Sequence, residues 1–128
     1  MHYLMLIHTD PTVFGELPPE KIGSLTQEVM EFDQKITESG NNLGSIRLQP
    51  ANMAKSIRVR AGKPLTTDGP FSEAKEQLGG IYLIEARDDD EAAEIAASLP
   101  IARIGTVELR PALGVDIKGQ VFQMYDDA

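Results

Sequence analysis

Apolar side chains fill residues 2–8 on an alternating register, with Tyr3, Met5 and Ile7 on one face and Leu4, Leu6 and His8 on the other. A period of two predicts a strand, and apolar residues on both faces predict that both faces are covered. Thr9 to Leu17, with Asp10-Pro11 and Gly15, reads as a loop. Pro18-Pro19-Glu20 then places proline in the first turn of a helix. Ile22, Leu25, Val29, Phe32 and Ile36 follow at spacings of three and four, which makes one apolar stripe. Gly40-Asn41 ends that helix.

Leu43 to Leu48 reads as a strand stopped by Pro50. Ser56 to Arg60 alternates Ile57 and Val59, expected inward, against Ser56, Arg58 and Arg60. Ala61-Gly62-Lys63 turns the chain, and Pro64 to Thr67 pairs back as a hairpin. Ile81 to Ile84 reads as a buried strand. Asp88, Asp89 and Asp90 suit a helix N-terminus, whose N–H groups favour anions. Ala92, Ile95, Ala96 and Leu99 give that second helix its apolar side, and Pro100 closes it. Thr106 to Leu109 is the last strand of the core.

The order is β-α-β, a hairpin, then β-α-β. It predicts the α+β class: a ferredoxin-like β-α-β-β-β-α-β antiparallel sheet with two helices on one face. Strands apolar on both faces leave the helix-free face in need of a cover. A second copy of the chain is the simplest one, so a homodimer is expected.

Composition narrows the function classes. At 128 residues the chain suits one domain with its own core. With no cysteine, disulfides, thiolate metal sites and thiol nucleophiles are excluded, in keeping with a cytoplasmic setting. The N-terminus has no basic leader and reads as a strand, not a signal peptide. No apolar run approaches the ~20 residues that span a bilayer, so no membrane partner is expected. Twelve basic and 20 acidic side chains give a net charge of −8. Phosphate backbones repel such a surface, so no nucleic-acid partner is expected either.

The densest chemistry lies in residues 66–80, Thr-Thr-Asp-Gly-Pro-Phe-Ser-Glu-Ala-Lys-Glu-Gln-Leu-Gly-Gly. This segment joins two strands, where small-molecule sites often form. Asp68 has two readings. Burial beside an aromatic would make it a general acid or base, and the start of a Gly-Pro turn would make it a backbone-bonding turn residue. Phe71 reads as a pocket wall or core plug. Glu73, Lys75 and Glu76 are expected on a helical turn, either contacting a ligand or forming a solvated charged surface. Gly79-Gly80 allows close backbone approach at a strand start.

His8, at the end of the first strand and two residues before Asp10, titrates near neutrality beside a carboxylate and would shuttle protons. Its alternative is a structural bond to a loop carbonyl. Arg58 and Arg60 share a strand face with Ser56 and would bind a small anionic ligand, or else guard an exposed edge. His2 and His8 lie roughly 20 Å apart by strand rise, too far to share a metal within one chain. No metal or other cofactor is expected.

Thr67-Asp68-Gly69-Pro70-Phe71, then Glu73, Lys75-Glu76-Gln77-Leu78-Gly79-Gly80 and Tyr82, resemble the signature of the DGPF subgroup of the YCII-related family. Leu48-Gln49-Pro50, Arg58-Val59-Arg60 and Val107-Glu108-Leu109-Arg110-Pro111 agree with it. The resemblance covers residues 1–113 and leaves 114–128 as a C-terminal extension, in which Val121, Phe122, Met124 and Tyr125 would add to a dimer contact. It implies a dimeric α/β barrel of ferredoxin-like fold. Some relatives are proposed as enzymes built around a His–Asp pair, and domains of this kind occur beside extracytoplasmic-function sigma factors. Many members carry Tyr where this chain has His8.

Two functions follow as expectations. One is a small-molecule isomerase or lyase with its pocket near residues 66–76, where Asp68 and His8 move protons and Arg58 or Arg60 orients an anion. Phe71, Glu73 and Lys75 would complete the binding surface. The other is a non-catalytic ligand-sensing or protein-interaction module linked to transcription regulation. A haem-linked or cofactor-free oxygenase ranks below both, since neither His sits in a ligand context.

Overall fold

The computed structural model describes residues 1–70, 74–117 and 120–123. Its centre is a four-stranded antiparallel sheet of β1 (His2–Thr9), β2 (Asn42–Arg47), β5 (Gln77–Glu85) and β6 (Thr106–Pro111), in the order β2-β5-β1-β6. Helices α2 (Pro19–Glu38) and α3 (Asp89–Ser98) cover one face. The fold is α+β and ferredoxin-like, as the order of elements predicts.

The two central strands carry the core because their alternate residues meet the helices. Tyr3, Met5 and Ile84 are fully enclosed, with Ile7 and Tyr82 beside them. From the helices come Phe32, Ile36, Ala92 and Ala96, and Leu99 closes the end of α3. Each fully buried large side chain stabilises the fold by about 1.5–3 kcal/mol. The Tyr3 hydroxyl donates to Asp89 Oδ1 at 2.6 Å and ties the sheet to the start of α3. Asp88 caps that helix by accepting from the Glu91 N–H at 2.8 Å. This bond holds the Asp88 carboxyl below its ordinary range, assisted by Arg87.

The opposite face carries no helix. Leu4 and Leu6 of β1 lie across from Leu83 and Ile81 of β5, and all four are half-buried. Ile46 of β2, paired with Ile81, is 58% exposed.

Three expectations are corrected. Residues 9–17 are not all loop: Asp10 accepts from the Thr12 N–H at 2.9 Å and, with Pro11 next, starts the short helix α1 (Pro11–Gly15). The hairpin of β3 (Lys55–Arg60) and β4 (Lys63–Asp68) forms, but as its own two-stranded sheet. Among the described residues no element covers it, so Ile57 and Val59 are 68% and 60% exposed rather than inward. Residues 74–76 bend without forming a helix, drawn outward by polar partners: Glu76 accepts from the Thr106 hydroxyl at 2.7 Å.

Within the extension, β7 (Val115–Ile117) and β8 (Gln120–Gln123) pair as a third small sheet. Met124 and Tyr125 lie outside the described residues, as do the side chains of Val121 and Phe122. Among the described residues no helix is long and apolar enough to cross a membrane.

Candidate functional site

A cavity of about 600 Å³ opens on the helix-covered side, between edge strand β2, strand β5 and helix α2. Its volume is within the range of small-ligand sites. Missing side chains create it. On β5 the inward positions read Ile84, Tyr82, Gly80, so the row of large residues stops at Gly80. A Cβ there would stand 3.0 Å from the carbonyl oxygen of Ile46 and 4.0 Å from Ile7 Cδ1. Glycine therefore permits both the close approach of β2 and the open space. Gly79 is the extra residue where the β1–β5 register shifts, and bulges of this kind recur beside functional sites.

The walls are apolar: Ile7, Leu25, Val29, Leu99 and Ile101, with Phe14 from α1. Ser45, Arg47 and Thr26 form an exposed rim. The polar centre is Tyr82, 7% exposed, whose hydroxyl donates to Asp33 Oδ1. Phe32 meets the Tyr82 ring edge-on, with centroids 5.9 Å apart and planes at 88°, and so fixes its orientation. Asp33 itself is half-buried and reaches the cavity from α2.

Burial, and then the bond to Asp33 and its negative charge, push the Tyr82 phenol far above the ordinary range; the Arg47 charge pulls the other way. Tyr82 is thus a neutral hydrogen-bond donor throughout the physiological range. Asp33 keeps a second oxygen for another donor. Asp33 on α2 and Arg47 on β2 therefore present opposite charges to one apolar space. This arrangement can hold a polar small molecule and move a proton on it.

The described residues among those singled out by sequence lie elsewhere. Asp68, at the end of β4, is exposed and outside the cavity wall. Its strand belongs to the detached hairpin, so the polypeptide carries it away from the helix-covered core. Arg58 and Arg60 are exposed on the same hairpin, and Arg60 donates to the Val59 carbonyl at 3.0 Å. His8 projects from the helix-free face. Its Nε2 is 3.4 Å from Glu108 Oε1, so its carboxylate partner comes from β6 rather than from Asp10. Asp10 is spent on capping α1, with Lys75 Nζ 4.0 Å away. Phe71 and Glu73 lie outside the described residues. Asp68 and His8 are not brought together, and none of the described residues between 66 and 76 lines the cavity. Among the described residues, no three His, Asp or Glu side chains are placed to hold a metal ion.

Asp33, Tyr82 and Arg47 carried weaker signals in the sequence. Asp33 stands four residues after Val29, a carboxylate on the shoulder of an apolar stripe. Tyr82 is the one polar handle within Ile81 to Ile84, and Arg47 is a charge between Ile46 and Leu48. Each is a polar group in an apolar row, which needs a partner or a purpose.

The comparisons with known proteins agree on kinship. The YCII-related domain matches residues 1–114. The uncharacterized protein R00369 of Rhizobium meliloti (strain 1021) is 36% identical over 114 residues, covering 87% of this chain and 91% of that protein. The uncharacterized protein YjpA of Bacillus subtilis (strain 168) is 46% identical over 52 residues, 41% of this chain and 58% of YjpA. With nearly the whole folded core matched, the chain belongs to the family of YCII-related domain proteins.

Proposed function

We propose that the protein is a small-molecule isomerase or lyase whose acid–base chemistry is carried by Asp33 and Tyr82. The observation that supports this is the Asp33–Tyr82 pair set in an apolar cavity open to solvent. Asp33, held by a donor that keeps its proton, takes a proton from the ligand and returns it at a second position. The Tyr82 O–H turns to an oxygen of the ligand as negative charge develops there, which is the usual use of a fixed neutral donor. No metal or thiol is needed for this chemistry. The motif around Asp68 supports the finer DGPF assignment and a shaping role for that loop.

The helix-free face supports a homodimer. Leu4, Leu6, Ile81 and Leu83 form a contiguous apolar patch, edged by His8 and Glu108, which a second copy would cover. A non-catalytic sensing module is the second reading, favoured by the exposed apolar Ile57, Val59 and Leu65 on the hairpin, a surface suited to a protein partner.

Candidate ligands mixed with the protein in D₂O distinguish the readings. Incorporation of solvent deuterium at a ligand carbon, lost in Asp33→Asn but kept in Asp68→Ala, is the expected result. Exchange that survives Asp33→Asn, or that Asp68→Ala abolishes, would overturn the assignment.

A further inference from the structure

The rim of the cavity holds a cation that the fold itself does not use. Arg87 is paired with Asp88 and Glu91, Arg103 with Glu28, and Arg110 with Glu108. Arg47 lines the cavity and makes no ion pair with any described carboxylate, in a chain with 20 acidic and 12 basic side chains. Arg60 on the hairpin likewise makes no ion pair with a described carboxylate and donates only to the Val59 carbonyl, so what sets Arg47 apart is its place on the cavity wall.

Its position adds to this. Tyr82 is registered opposite Ser45, and Gly80 opposite Arg47, on β5 and β2. Arg47 thus stands one inward position along the strand from the Tyr82 row, about 7 Å by strand rise. The space between them is the gap left by Gly80. Hydrocarbon side chains from α2 and from the chain after α3 line it as well: Leu25, Val29, Leu99 and Ile101. The cavity thus has a planar cation at its mouth, a donor–acceptor pair one short molecule's length inward, and an apolar lining.

Resting on the small-molecule reading above, we infer that the ligand is a short monocarboxylate with an apolar body: its carboxylate is taken by the Arg47 guanidinium and its carbon chain is laid against Val29 and Ile101. A guanidinium recognises a carboxylate through two parallel N–H donors. Asp33, a carboxylate that accepts the Tyr82 hydrogen bond, repels a second carboxylate, so the ligand carries one acid group and points it outward. The ligand's carbon body, not its acid group, then reaches Asp33.

Isothermal titration with hexanoate and benzoate, and with the matching amides and amines, tests the inference. Wild type, Arg47→Gln, Arg47→Lys and Thr26→Trp are compared. The last fills the cavity mouth from an exposed position on α2 and leaves the core intact. The acids are expected to bind, at least tenfold more weakly in Arg47→Gln, less so in Arg47→Lys, and not at all in Thr26→Trp. Amides or amines that bind as tightly as the acids, and are blocked by Thr26→Trp, would overturn the carboxylate class and leave the cavity a binding site. Acid binding unchanged in Arg47→Gln would overturn Arg47 as the anchor. Binding of every probe that is indifferent to Thr26→Trp, or no binding at all, would overturn the cavity reading too.

Discussion

The two faces of one sheet differ in how far the chain satisfies them. On β1, Tyr3, Met5 and Ile7 are sealed beneath α2 and α3, while the alternating Leu4 and Leu6 remain half-buried with no helix above them. The strand is equally apolar on both sides, so hydrophobicity alone does not set the outcome. The helix connections do, since both helices pack on the same side. The helix-covered face carries the core and the cavity, and the open face leaves its apolar side chains half-buried. A residue's consequence therefore depends on its parity along the strand.

Substitutions that respect this parity should sharpen the contrast. Met5→Ala, on the sealed face, should cost about 2–5 kcal/mol by removing enclosed volume that cannot collapse, whereas Leu6→Ala next to it should cost far less in the isolated chain. Chemical denaturation of the two variants makes the comparison, and equal losses would erase it. Gly105→Ala should follow at about 1–3 kcal/mol, because a Cβ there would overlap the carbonyl oxygen of His8. Leu6→Lys should leave the folded chain stable but shift the proposed dimer to a monomer in sedimentation equilibrium, since charge would then face the proposed contact.

Tyr82→Phe should cost about 1 kcal/mol, the net value of a hydrogen bond, and should also change the alkaline behaviour. Because folding raises the Tyr82 pKa, its contribution is complete below the unfolded value near pH 10 and is lost as pH rises through the folded value. Thermal melts should therefore fall more steeply above about pH 10 in wild type than in Tyr82→Phe. The smallest effect is expected at the α3 cap. Asp88→Ala should lower stability slightly by removing the helix cap. Because folding lowers the Asp88 pKa, its stabilisation is present above about pH 4 and lost as pH falls further. Melts at neutral and acid pH in both proteins check the sign.

Much of the fold was legible from residue spacing. The period-two rows of β1 and the Ile22 to Ile36 stripe of α2 point to the same layers that the structure shows, because burial imposes a periodicity that sequence retains. The detached hairpin was not legible. Ile57 and Val59 alternate like core residues, and only the tertiary arrangement reveals that both are exposed. The site was legible in part. Residues 66–80 attract attention by their density of charge and turn formers, yet Asp68 leaves on the hairpin. Among the described residues of that segment only Gly79 and Gly80 reach the cavity, and they do so by having no side chains. Asp33 and Arg47 lie 14 residues apart in the chain, on a helix and an edge strand. No local motif announces their convergence, which antiparallel pairing of β2 with β5 produces.

The account rests on the helix-covered face being the one that receives a small molecule. Methyl-resolved NMR of the full chain, titrated with a library of small organic acids, amides and amines, tests this directly. The expected result is a set of shifts confined to Ile7, Leu25, Val29 and Ile101. Shifts confined to Leu4, Leu6, Ile81 and Leu83 on the open face, or none on either face, would contradict it.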